Sequence, residues 1–202
     1  FFVLFILLSS YTDTTSNGNF SPPSKTDNSL PQIIQAPYIP SSADFCGDAL
    51  PMSHFDAKER LDQELIANSY RHSSTILFIK NSGKYFPVIE KILAEEGMPD
   101  DLKYLAVAES GLENATSPMG AKGFWQFMKG TAQEYGLTVN SEVDERLDIE
   151  KSTRAACKYL KRLHGQFDSW ILAAAAYNMG GPNLKKHSSS QKANTYFDLN
   201  IN

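Results

Sequence analysis

From residue 54 onward, apolar residues recur at three- and four-residue spacings, and glycines cut that pattern into short runs. No stretch alternates apolar and polar residues as a half-buried strand would. The segment from His54 to Asn68 spaces Phe55, Leu61 and Leu65 at helical intervals. Thr75 to Lys80 reads as a second helix, closed by the Asn81-Ser82-Gly83 breaker. Tyr85 to Glu96 puts Val88, Ile89, Ile92 and Leu93 on one face before Gly97 stops it. Pro99 suits the first turn of the next helix, with Asp100 and Asp101 at its positive end and Gly111 after Ser110. A short helix over Thr131–Tyr135 ends at Gly136. A long one starts at Asp148 or Ser152 and runs to His164 before Gly165. Asp168 then caps a last apolar helix, SWILAAAAYN, which stops at Gly180-Gly181. The expected fold is a compact all-α domain of about eight short helices.

The first 53 residues do not share this pattern. Residues 1–8, FFVLFILL, are wholly apolar, too short to span a bilayer as a helix, and suited to the core of a secretory signal. Residues 1–10 are therefore read as a partial signal peptide, with no initiator Met, basic leader or lipid-attachment Cys around the run. Residues 11–53 are rich in Ser, Thr, Asn and Pro and hold too few apolar side chains to offset the entropy of ordering them. They are read as a disordered linker. The folded domain is assigned to residues 54–202.

Composition excludes several classes of function. A net charge of −4 argues against nucleic acid as a partner. The four histidines, His54, His72, His164 and His187, show no metal-ligand spacing, so no metal and no cofactor are expected. Cys46 and Cys157 do not make a disulfide framework. Cys157 lies in an Ala-rich helical pattern as a small buried residue.

The most informative segment is PDDLKYLAVAESGLEN. Leu102, Leu105, Glu109 and Leu112 are spaced three, four and three apart, which puts a carboxylate on the stripe that buries leucines. Burial disfavours the charge, and so do the carbonyls of a helix's last turn. Both effects raise the pKa of Glu109 from about 4.3 toward about 6, as a general acid near neutral pH requires. A structural glutamate, hydrogen-bonded at a helix end, fits the same spacing. In SPMGAKGFWQFM, Gly120 and Gly123 allow close backbone approach, and Gln126 sits among aromatics with an amide able to bond a sugar hydroxyl or acetamido group. Trp125 offers a face for a pyranose ring, whereas Phe124 and Phe127 suit the core better. On the last helix Trp170, Ala173, Ala174 and Tyr177 share a stripe whose alanines permit close packing, which would bring the Tyr177 hydroxyl to Glu109. An ordinary buried tyrosine fits equally, and Asn178 would hold the following turn.

Three segments in order, AVAESGLEN, GAKGFWQFM and AAAAYNMG, resemble the motifs of the soluble-lysozyme-like lytic transglycosylases. YFPVIEKILAEEGMPDDLKYL and DERLDIEKSTRAACKYLKRLHGQF resemble its membrane-bound murein transglycosylase D branch, and the likeness covers roughly residues 54 to 188. The resemblance implies a lysozyme-like domain with Glu109 as catalytic acid and base and Ser110 beside it. It implies that Ser117 lies near the reacting sugar and that Gln126 and Met128 touch substrate. Trp125 occupies the place this branch gives a tryptophan before the Gln. Tyr177 and Asn178 match the Tyr-Asn pair whose Tyr bonds the catalytic carboxyl. The family continues with a Glu-Thr-x-x-Tyr helix lining the groove, which residues 1–202 do not contain, so the last helix is expected to be truncated.

The implied reaction needs one carboxylate. Most glycosidases use two, and here Glu113 lies past a glycine break while Asp144, Glu145 and Asp148 look solvated or helix-capping. The resemblance implies cleavage between N-acetylmuramic acid and N-acetylglucosamine in peptidoglycan glycan strands, with an anhydro end formed without water. It also implies a monomer exported to the periplasm or envelope, with membrane association open. A goose-lysozyme-like hydrolase with the same glutamate, and a non-catalytic peptidoglycan-binding module, remain alternatives.

Overall fold

The computed structural model describes residues 36–193 and 195–199. The signal-like run and residues 11–35 of the expected linker lie outside them. The described part is mainly helical, with α1 (Phe55–Ser69), α2 (His72–Glu95), α3 (Lys103–Ser110), α4 (Lys129–Glu134), α5 (Ile149–Phe167), α6 (Trp170–Met179) and α7 (Gly181–Gln191). Short 3-10 turns precede α3 and α5, and a third follows α7. The all-α expectation holds.

The end of the expected linker is not a linker. A two-residue hairpin, β1 (Asp44–Phe45) and β2 (Asp48–Ala49), pairs Phe45 with Asp48. Its turn is Cys46-Gly47, both with positive φ, as a two-residue hairpin loop requires. Phe45 is 1% exposed, and Ala43 and Leu50 are buried with it in the main core. The Cys46 N–H donates to Asp101 Oδ2 at 2.8 Å, while Asp48 Oδ2 accepts from Ser169 Oγ and the Ile171 N–H at the start of α6. Strands this short carry no readable periodicity, and only their tertiary partners hold them.

Expected breaks also vanish. α2 runs unbroken through Asn81-Ser82-Gly83 and past Pro87. Pro87 cannot donate to the Gly83 carbonyl, yet the helix continues, because Ile89, Ile92 and Leu93 beyond it are buried and α2 packs on α5. Asn81 does not compete for its own backbone, since its amide donates to the Gly111 carbonyl at 3.0 Å. α5 likewise passes Gly165 and ends at Asp168, which adopts the left-handed φ of 52°. Ser169, not Asp168, caps α6 by accepting from the Leu172 N–H. Gly180 stops α6 as expected, but Pro182 in the first turn starts α7, which the apolar pattern does not announce.

α5 is the central helix, packed against both α2 and α6. Asp148 caps its start by accepting from the Lys151 N–H at 2.9 Å. Its buried stripe of Ala155, Ala156, Cys157, Leu160 and Leu163 faces the alanines of α6. Ala173 to Ala176 are all buried, so α6 lies closely between α5 and α7. Cys46 and Cys157 are both free thiols.

The segment joining α3 to α5 is held by a buried arginine. Arg146, 4% exposed, pairs with Asp144 through two bonds of 2.8 and 2.7 Å and donates to the carbonyls of Gly120 and Phe127. The guanidinium holds the Asp144 carboxyl down at about 2. Of the two expectations for Asp144, solvated or helix-capping, the second holds, because its carboxylate also accepts from the Arg146 N–H at 3.3 Å and caps the 3-10 turn before α5. Gly123 fits beneath this arginine with φ +80°, where a Cβ would come within 1.9 Å of the Arg146 carbonyl oxygen. Gly123→Ala is expected to destabilise the fold by about 2–4 kcal/mol. Gly130→Ala, in α4 with open space at its Cβ position, is expected to be neutral or to stabilise by ~0.5 kcal/mol. Urea denaturation of both variants checks the pair.

Candidate active site

Glu109 lies in the closing turn of α3. Gly111 ends the helix in the left-handed region at φ 63°, its N–H bonding the Val107 carbonyl. A Cβ on Gly111 would meet the Phe78 ring at 2.8 Å, so the glycine lets α2 close over this helix end. Leu102 and Leu105 are fully buried, as the stripe predicts. Leu112 is buried too, though it lies beyond the helix with φ 59°.

Burial pushes the Glu109 carboxyl up to about 7, against a weaker opposing effect from Asn178. The Asn178 amide donates to Glu109 Oε1 at 3.4 Å. Among the described residues no other carboxylate contributes to the shift. The direction is the one the helix stripe predicts, and the structure carries it further. At neutral pH a large fraction of this group is a carboxylic acid, able to donate a proton and then to accept one.

Asn178, not Tyr177, reaches the carboxyl. The Tyr177 hydroxyl donates to the Trp125 carbonyl at 2.7 Å rather than to Glu109, although the Glu109 charge raises its pKa further beyond the effect of burial. Asn178, expected to hold the turn, reaches the carboxyl instead. Helical geometry explains this: adjacent residues on α6 point about 100° apart, and the exposed Asn178 faces Glu109.

The loop from Ala115 to Met128 is fastened to the end of α3 next to Glu109 through Ser110. The Gly123 N–H donates to the Ala115 carbonyl, and Lys122 and Phe127 exchange both backbone bonds. Ser117 closes a turn, with its hydroxyl accepting from the Ala121 N–H at 3.0 Å. Ser110 does not touch Glu109. Its hydroxyl lies 2.8 Å from the Phe124 carbonyl and 3.1 Å from the Ala106 carbonyl, so it fastens the end of α3 to this loop. Gln126 adopts φ 47° and donates its amide to the carbonyls of Ala115 and Gly123, leaving its oxygen as the group with capacity for a ligand. Met128 is 46% exposed.

Trp125 is the clear correction. It is fully buried, and its indole N–H donates to Thr153 Oγ1 at 2.9 Å, so it cannot stack on a sugar. Phe124 and Phe127 are core residues, as expected. The loop thus turns its aromatics inward and leaves Met128 and part of Gln126 toward solvent. Sequence reasoning missed Arg146, Thr153 and Asn81, which hold the walls. Their only signal is polar residues within helical or charged segments, which solvated surfaces share.

Residues 86–200 match the model of the Transglycosylase SLT domain family, more than half of the chain. The chain is 33% identical over 154 residues to the membrane-bound lytic murein transglycosylase D of Escherichia coli (strain K12), which covers 74% of this chain and 33% of that protein. It is 33% identical over 98 residues to a putative tributyltin chloride resistance protein of Alteromonas sp. (strain M-1), covering 48% of this chain and 46% of that one. Against the peptidoglycan transglycosylase gp16 of Escherichia phage T7 it is 36% identical over 118 residues, 54% of this chain and 9% of that protein. The chain thus spans about a third of the length of the transglycosylase D relative. The matched region contains Glu109, the loop from Ala115 to Met128 and Asn178, and on that match the chain belongs to the Transglycosylase SLT domain family.

Proposed function

We propose that this chain cleaves peptidoglycan glycan strands as a lytic transglycosylase, with Glu109 acting first as acid and then as base. The single observation that carries this is a half-buried carboxyl at the end of α3, bonded by the Asn178 amide and pushed up to about 7 by burial, with no second carboxylate among the described residues acting on it. Glu109 gives its proton to the glycosidic oxygen between N-acetylmuramic acid and N-acetylglucosamine. The substrate's acetamido oxygen shields the developing positive charge at the sugar carbon. The Glu109 carboxylate, held by Asn178, then takes the proton of the C6 hydroxyl, which closes a 1,6-anhydro ring and regenerates the acid. Met128, the Gln126 oxygen and the Ser117 turn form the substrate wall, and Ser110 and Tyr177 position it.

The names of the relatives support an envelope location for this chain, beside its substrate and exported there by the apolar run at residues 1–8. Among the described residues no helix is long and apolar enough to cross a membrane.

Glu109→Gln is expected to lower release of soluble fragments from sacculi by about 100- to 10,000-fold without loss of helical circular dichroism. Retained cleavage would overturn the assignment. Mass spectrometry of products from the unaltered chain is expected to find anhydro ends, one water lighter than hydrolysed ones. Hydrolysed ends would identify a muramidase.

Cleavage should decline as pH rises through about 7, because the acid form of Glu109 is lost. Asn178→Ala removes the donor that favours the carboxylate, so this limb is expected to move to higher pH. Stability carries the same sign. Between 4.5 and about 7 the folded chain holds a proton on Glu109 that the unfolded chain has released, so stability contributed by the neutral group is lost as pH rises through this window. Glu109→Gln has no such loss and is expected to be ~1–3 kcal/mol more stable than the parent above pH 7, with the gap closing at acid pH. Denaturation series at several pH values measure it.

A further inference from the structure

The first half of α2 carries an apolar run that the described fold leaves uncovered. Ile76, Leu77, Phe78 and Ile79 follow one another there, yet no residue of α2 before Ile89 is buried. Four consecutive apolar residues cover most of a helix's circumference, a pattern that suits a helix enclosed on all sides. Here Ile76 is 65%, Leu77 48% and Ile79 67% exposed, and Ile66 and Tyr70 at the end of α1 are exposed beside them. An apolar patch of this kind on a folded domain marks a surface that meets something else.

Between α1, α2 and α3 the patch continues into a groove of about 290 Å³, lined by Leu65, Phe78, Ile79, Phe86, Tyr104 and Val107. The polar side chains in its wall are already engaged. The Asn68 amide donates to the Glu64 carbonyl, the Thr75 hydroxyl to the Asn68 carbonyl and the Ser82 hydroxyl to the Ile79 carbonyl. An occupant finds mainly hydrocarbon.

The charge around this patch has one sign. No acidic residue lies between Glu64 and Glu90, whereas Arg71, Lys80 and Lys84 do, in a chain whose net charge is −4. None of the three pairs with a carboxylate among the described residues. Bare branched side chains flanked by unmatched cations complement an anionic lipid surface, where the isoleucines enter the acyl boundary and the cations stay among the phosphates. A second copy of the chain fits less well, because a two-fold contact brings Arg71, Lys80 and Lys84 toward their own equivalents.

We propose that the α1–α2 corner, with Ile76, Leu77 and Ile79 at its tip, seats this chain on the surface of an anionic bilayer. The contact lies on the membrane and does not cross it. Phe78 in the same segment lies against Gly111, two residues after Glu109, so docking holds the end of α3 close to the bilayer. Docking of this kind does not depend on what Glu109 does.

Hydrogen exchange of the full chain, with and without vesicles, tests this and separates the corner from the apolar run at residues 1–8. Vesicles of phosphatidylglycerol are expected to slow amide exchange across residues 66–80 by about 3- to 10-fold, and vesicles of phosphatidylcholine far less. Ile76→Ser with Ile79→Ser should raise the lipid concentration needed for half-maximal slowing by about 10- to 100-fold, with helical circular dichroism unchanged. Lys80→Gln with Lys84→Gln should raise it by about 5- to 30-fold at low salt and by much less at high salt. No slowing with phosphatidylglycerol, equal slowing with both lipids, or slowing unchanged in the isoleucine variant overturns the proposal. So does slowing that appears without vesicles and grows with protein concentration, which would assign the corner to a second copy.

Discussion

A half-buried carboxyl group at the closing turn of a helix is the constraint around which this molecule is arranged. The Glu109 charge is disfavoured by burial and again by the carbonyl end of α3. Only the Asn178 amide opposes that, from 3.4 Å. Stronger donors would hold the group as a permanent carboxylate, and none would leave the charged form without a partner. One modest hydrogen bond keeps both protonation states accessible near neutrality, which an acid that must become a base requires.

Keeping that balance demands rigid surroundings, and the polar interior supplies them. Arg146 binds the carbonyls of Gly120 and Phe127 while Asp144 neutralises it. Trp125 reaches down to Thr153 on α5, and its carbonyl receives the Tyr177 hydroxyl from α6. The loop beside Glu109 is therefore tied to α5, to α6 and back onto itself by buried and part-buried bonds, each costly to leave unmade. Asn81 and Gly111 do the same from the other side, where α2 closes on the end of α3. These groups set where the carboxyl and the loop beside it stand.

Much of this was legible along the chain, and the failures share a cause. The stripe of Leu102, Leu105 and Glu109 marked the half-buried carboxyl because helix periodicity is local. Gly111 and Gly180 marked real helix ends because positive φ is a local need. Asn81-Ser82-Gly83 and Gly165 looked like similar stops, but burial of α2 and α5 on each other outweighed the propensity. The hairpin at Phe45 read as linker because four strand residues have no period, and the core that receives Phe45 is assembled from helices far along the chain.

The chain's own pattern of spacings and stops determined that this protein is helical, where most of its helices end and which glutamate is misplaced among leucines. Those properties depend on neighbours three or four residues away. Only the tertiary structure decided that Trp125 faces inward, that Asn178 rather than Tyr177 meets the carboxyl, and that Arg146 is a buried clamp and not a solvated charge. Each of these depends on which polar group another element brings within hydrogen-bond reach, and directional bonds between distant segments leave no periodic trace in the chain.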